Sequence, residues 1–125
     1  MQEINLRNYA YLGDAIWELH IRSITILKTN NSKKLHEITT NLVNTDFQCE
    51  MLEKISPHLT DSELEIAKRA RNLPIPIGRR HIQGQYRKAT AFETLIGYWH
   101  IYSKERLEEI LNIINIPEIL NSKTL

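Results

Sequence analysis

The sequence predicts an all-α protein of one domain, and three observations carry that prediction. Apolar residues recur at helical spacing almost from end to end. Two segments, Thr45-Asp46-Phe47-Gln48 and Thr60-Asp61-Ser62-Glu63, have the form of a capping box that opens a helix. No segment alternates apolar and polar residues as a half-buried strand would. The 125 residues suit a single domain spanning 1–125, large enough for a core without staples. Cys49 is the sole cysteine, so no internal disulfide can form and a reducing compartment is expected.

The first helix is expected from about Asn8 to Lys28, with Leu12, Ile16 and Leu19 inward and Ile26 and Leu27 extending that side. Gly13 interrupts it, at a cost of about 1 kcal/mol relative to alanine, and so needs a reason. Ser32 is placed to cap a second helix carrying Leu35, Ile38 and Leu42. The box at Thr45 opens a third with Met51, Leu52 and Ile55 inward, and the box at Thr60 opens a fourth with Leu64, Ala67 and Ala70. The stretch NLPIPIGRRHIQGQ, residues 72–85, holds two prolines and two glycines and reads as a basic, mobile loop. A connection of that length in a helical domain is usually functional or disordered. Helix resumes at Tyr86 and runs to Tyr102 around Phe92, Leu95, Ile96 and Trp99. Ser103 caps a further helix carrying Leu107, Ile110, Leu111 and Ile114, and Pro117 starts a short last turn.

Charge is balanced in total, at +1, and uneven in distribution. No Asp or Glu occurs from Ile66 to Phe92, a stretch holding Lys68, Arg69, Arg71, Arg79, Arg80, Arg87 and Lys88. Such a stretch can present a phosphate-binding face, or can simply be a solvated surface. No run of 18 apolar residues is present, so no membrane span is expected. The chain enters a helical pattern almost at once and shows no signal or transit peptide, which points to a cytosol or to a plastid stroma.

Two acidic residues stand in apolar company: Asp14 in YAYLGDAIWEL and Glu93 in ATAFETLIGYW. A carboxylate so placed is either buried against an Arg or Lys, or a metal ligand, and spacing alone leaves both readings open. Two carboxylates meeting from separate helices would suit Mg²⁺, which takes oxygen ligands and keeps several waters. Gly13 and Gly97 would then let the two helices, or a ligand backbone, come close. Thr90, Glu93 and Gly97 share one helical face with Tyr86 and His100, while Ala10, Asp14 and Glu18 share another, which makes Glu18 and His100 candidate auxiliaries.

These segments resemble the ribonuclease III family. YAYLGDAIWE is similar to that family's signature helix and KATAFETLIGY to the second half of its active site. The order of the signature helix, Arg69-Ala70-Arg71-Asn72, the basic loop and then Tyr86-Arg87 resembles the short branch called Mini-ribonuclease III, which lacks a double-stranded RNA-binding domain. The resemblance implies a homodimeric helical endonuclease that hydrolyses double-stranded RNA with Mg²⁺. In this branch it implies maturation of large-subunit ribosomal RNA, with a ribosomal protein as a possible presenter of the substrate. It makes Asp14 and Glu93 the catalytic and metal-binding pair. Ala10 and Thr90 stand where larger family members carry a glutamate and an aspartate.

Duplex RNA is read mostly by shape and phosphate. Arg69, Arg71, Arg79, Arg80, Arg87 and Lys88 are therefore the expected backbone contacts, with Asn72, Tyr86 and Thr90 nearer the cut. Tyr9, Tyr11 and Trp17 surround Asp14 and are expected to supply aromatic area to the dimer interface. Two other functions fit the same features: a catalytically inactive relative that binds RNA, and a helical protein-interaction module.

Overall fold

The computed structural model describes residues 5–122, and the side chains of Arg79, Arg80 and Ile82 lie outside what it describes. Seven α-helices follow one another within this range: α1 (Leu6–Thr25), α2 (Ser32–Val43), α3 (Thr45–Ile55), α4 (Asp61–Arg71), α5 (Gln83–Tyr102), α6 (Lys104–Ile114) and α7 (Ile116–Ser122). Short 3-10 turns occupy Ser56–His58 and Ile77–Ile82. No strand occurs among the described residues.

α5 is the axis of the domain. It packs most extensively on α1, then on α3 and α4, and more lightly on α6. Ala89, Ala91, Phe92, Leu95, Ile96 and Trp99 are all buried, so α5 is apolar around most of its circumference, as a helix enclosed by others must be. Trp17 of α1 meets Phe92 edge-on at 5.0 Å, and its indole N–H donates to the Leu42 carbonyl at 2.9 Å, which ties α1 to α5 and α2 together.

The inward face of α1 is Tyr9, Gly13, Trp17, Ile21 and Thr25, a continuous i, i+4 row. This corrects the sequence reading. Leu12 and Ile16 lie only half-buried at its margin, and Leu19, Ile26 and Leu27 are exposed. Two of the three aromatics assigned to an interface, Tyr9 and Trp17, complete the core of this chain instead, and only Tyr11 faces outward, 84% exposed. α1 is apolar around much of its surface, so periodicity alone did not determine which row would meet α5.

The caps show a similar pattern. The box at Thr60 forms as expected: the Glu63 backbone N–H donates to the Thr60 hydroxyl and the Thr60 N–H donates to Glu63 Oε1. Ser103 caps α6. At α2 and α3 the capping oxygens come one residue earlier than expected, from Asn31 and Asn44. Asn44 Oδ1 accepts the Phe47 N–H at 2.8 Å, which leaves Gln48 out of any cap. The expected loop over residues 72–85 is also shorter in the structure. Irregular backbone covers only residues 72–76, the 3-10 turn follows, and α5 begins at Gln83 rather than Tyr86. Gly84 and Gln85 sit in the first turn of α5, where backbone N–H groups have no helical partner in any case and a weak helix former costs little.

A buried polar knot holds the far side of the domain. Glu63 accepts hydrogen bonds from the Trp99 indole at 2.8 Å and from Arg106 Nε at 3.0 Å and a terminal nitrogen at 2.8 Å. Arg106 also donates to the His58 carbonyl at 2.7 Å and pairs with Glu109. Burial pushes the Glu63 carboxyl upward, but the bonds from Arg106, Thr60 and Trp99 outweigh it and bring its pKa down to about 2. One capping glutamate thus links α4, α5 and α6.

Candidate active site

α1 and α5 cross antiparallel, and the crossing is made of two glycines. A β-carbon on Gly13 would lie 1.8 Å from the carbonyl oxygen of Glu93 and 3.0 Å from the Gly97 nitrogen. One on Gly97 would lie 2.0 Å from the Tyr9 carbonyl oxygen. Backbone rests on backbone, an approach that only glycine permits. Asp14 follows Gly13 directly, and Glu93 lies one turn before Gly97, so the contact that sets the helix separation also sets the distance between the two carboxyl groups.

Asp14 is exposed and Glu93 half-buried. Burial, a hydrogen bond with Asp14 and the Asp14 charge together push the Glu93 pKa up to about 8. The Glu93 carboxyl is therefore largely protonated at neutral pH and is hydrogen-bonded to Asp14. A buried carboxyl group that keeps its proton beside a second carboxyl group suits a divalent cation that would replace that proton. Among the described residues no three His, Cys, Asp or Glu side chains gather. Two hard oxygen donors, one open to water, fit Mg²⁺ with its retained waters better than an ion that needs a closed set of nitrogen or sulfur ligands.

A third side chain reaches the pair from α3. Gln48 is buried, and its Nε2 donates to Glu93 Oε2 at 3.5 Å, which favours the ionised form of Glu93. Sequence reasoning placed Gln48 in a cap and so missed this contact. The available signal was a glutamine beside Phe47, Met51 and Leu52 on the inward side of a helix, a polar group that must find a partner when buried.

The expected RNA contacts divide into groups. Arg69, Arg71 and Asn72 are exposed at the C-terminal end of α4. Arg87 is engaged from within: its guanidinium donates to the Arg71 carbonyl and, at 3.2 Å, to the Leu73 carbonyl. From α1, Arg7 donates to the Pro74 carbonyl at 2.6 Å, so the backbone leaving α4 is held from two sides. Lys88 pairs with Glu53 at 2.9 Å, which raises the lysine's pKa. Tyr86 and Thr90 are half-buried on α5, with Thr90 one turn before Glu93. The side chains of Arg79 and Arg80 lie outside the described residues. Glu18 pairs with Arg22 at 3.2 Å, and His100 is half-buried.

The family model of the Ribonuclease III domain matches residues 7–104. A Mini-ribonuclease 3 of Gloeobacter violaceus is 38% identical, the match covering 90% of this chain and 84% of that protein. One from Clostridium tetani is 37% identical over 94% of this chain and 82% of its own length. The crystal structure of a protein from Fusobacterium nucleatum superposes with a TM-score of 0.80 at 32% identity, covering 91% of this chain and 94% of the other.

Proposed function

The chain belongs to the ribonuclease III family, in its Mini-ribonuclease 3 branch, and is an endoribonuclease; from that premise we propose that it hydrolyses phosphodiester bonds of double-stranded RNA with Mg²⁺ held by Asp14 and Glu93. The observation that carries this reading is the coupling of those two carboxyl groups across the glycine crossing.

Bound there, Mg²⁺ would neutralise charge on the scissile phosphate and acidify a water for attack. The chain's own residues prepare for this. Glu93 would hold the cation in its deprotonated form, so cation affinity would rise with pH. Asp14, exposed beside it, is open to an arriving phosphate. Glycines at the crossing fix the pair on rigid helices rather than on loops, which preserves its spacing.

Arg69, Arg71, Arg79 and Arg80 serve as contacts to the RNA backbone, with Asn72, Tyr86 and Thr90 nearer the reacting phosphate. Lys88 joins them by exchanging Glu53 for phosphate, because an exposed ion pair is worth about 0–1 kcal/mol. Arg87 contributes by shaping the turn after α4, whose carbonyls it holds. The protein works as a homodimer, a reading supported by the outward row of Tyr11 and Leu19, 84% and 67% exposed on the helix that carries Asp14. Its substrate is a precursor of large-subunit ribosomal RNA, presented by a ribosomal protein, in the cytoplasm. Among the described residues no helix is long and apolar enough to cross a membrane.

Incubation with precursor ribosomal RNA and with a plain RNA duplex, with and without Mg²⁺, tests this. Cleavage by the wild type only with Mg²⁺, and none by Asp14→Asn, is the expected result. Retention of RNA without cleavage under any condition would instead identify an inactive RNA-binding relative.

A further inference from the structure

Among the described residues, Gln48 is one of four buried polar or charged side chains, with Thr25, Glu63 and Thr94, and of these four it alone points at the candidate active site. The other three have local or structural partners. Thr25 meets the Thr39 hydroxyl, Glu63 belongs to the Arg106 knot, and Thr94 donates to the Thr90 carbonyl one turn earlier in its own helix. The cap that would have occupied Gln48 is supplied by Asn44, so its carboxamide is released for a contact between helices.

We propose that Gln48 is a positioning residue for Glu93: its carboxamide, buried between α3 and α5, donates to one carboxylate oxygen and fixes the rotation of that carboxylate for cation binding. The inference rests on the reading of Glu93 as a cation ligand. Its physical basis is the pivot at the end of a glutamate side chain. The last torsion of a glutamate is broad and soft, so a carboxylate touched only by its cation would sample many orientations. A donor set in the protein interior narrows that range. The donor is also neutral, so it supports the ligand without competing for the cation, as outer-shell partners of metal ligands do. Phe47, Met51 and Leu52 are buried around the same turn of α3, so Gln48 cannot swing away to solvent. An amide at this position is costly to bury unless it is used.

Two variants test it: Gln48→Met, which keeps length and loses the donor, and Gln48→Glu, which replaces the donor with a competing carboxylate. The readouts are Mn²⁺ affinity of the RNA-free protein by electron paramagnetic resonance, melting temperature with and without Mn²⁺, and single-turnover cleavage of an RNA duplex. Gln48→Met is expected to fold, to bind Mn²⁺ about 10- to 100-fold more weakly, and to lose cleavage rate while KM for the duplex stays unchanged. Gln48→Glu is expected to melt lower than wild type without cation and to regain more on Mn²⁺ addition than wild type does. If Gln48→Met fails to fold, Gln48→Glu decides. Wild-type Mn²⁺ affinity and cleavage in Gln48→Met, or a wild-type Mn²⁺ response in Gln48→Glu, would overturn the proposal. Glu93→Gln keeps the two failures apart: if it binds Mn²⁺ as wild type does, the ligand reading of Glu93 is wrong and the role of Gln48 falls with it.

Discussion

The α-carbon of Gly13 faces the carbonyl of Glu93 so closely that a single methyl group between them would stand 1.8 Å from the carbonyl oxygen. Helix packing and site geometry are therefore one feature in this domain. Overpacking a close contact costs about 1–3 kcal/mol, and here neither side is a flexible side chain. Gly13→Ala is expected to destabilise the fold by about 3 kcal/mol, with a melting temperature lower by about 10 °C. Gly78→Ala and Gly84→Ala, where an added β-carbon meets nothing within 4 Å among the described residues, are the controls. Their thermal melts should match wild type or exceed it.

The proton retained by Glu93 sets a pH dependence. Its folded pKa of about 8 lies above the ordinary 4.5, so between those values the folded state binds more protons than the unfolded state. The contribution of this group to stability is fully present below 4.5 and is lost as pH rises toward 8. Urea titrations in chelator from pH 4.5 to 8.5 should show wild type losing stability relative to Glu93→Gln. A constant difference across that range would mean that the fold does not raise the Glu93 pKa.

Glu63 has the opposite sign. Its folded pKa of about 2 lies below the ordinary 4.5, so its contribution is present above 4.5 and is lost as pH falls toward 2. Breaking a buried pair costs about 3–5 kcal/mol. Glu63→Gln is expected to be destabilised to that extent at pH 7 by chemical denaturation, and the gap from wild type should narrow steadily below pH 4.5. RNA cleavage per folded molecule should not change, because the knot joins α4, α5 and α6 away from Asp14.

The basic residues should separate by what they already hold. Arg87→Ala releases the Arg71 and Leu73 carbonyls and should lower the melting temperature as well as RNA affinity. Lys88→Ala loses only an exposed pair and should leave melting unchanged while weakening RNA binding. A plot of log affinity against log salt, by filter binding, should lose close to one unit of slope per phosphate contact removed. An unchanged slope for Lys88→Ala would remove it from the RNA face.

Much of this site was legible in the sequence because its residues are expensive where they stand. A glycine within a helix and a carboxylate among Leu, Ile and Phe each break a local rule, and Gly13, Asp14, Glu93 and Gly97 do so at matching places. The parts that were not legible depend on distant partners. Trp17 and Tyr9 looked available for an interface until α5 selected their row of α1. Gln48 fitted a capping box whose role Asn44 took. The prolines and glycines of 72–85 signalled a loop, yet local propensity is a weak prior, and the segment coils from Ile77 onward. Charge identified Arg87 and Lys88 as basic residues and nothing more. The carboxylate and one carbonyl that they meet belong to other helices, and the Leu73 carbonyl belongs to the turn after α4.

Single-turnover cleavage of an RNA duplex across Mg²⁺ concentrations, for wild type, Asp14→Asn, Glu93→Gln and the double variant, tests the shared cation site most directly. Groups that act as one unit are not additive. Each single variant is expected to lose nearly all cleavage, and the double variant to lose no more than the worse single one. Near-wild-type cleavage by either single variant, or losses that multiply in the double, would contradict a cation held jointly by Asp14 and Glu93.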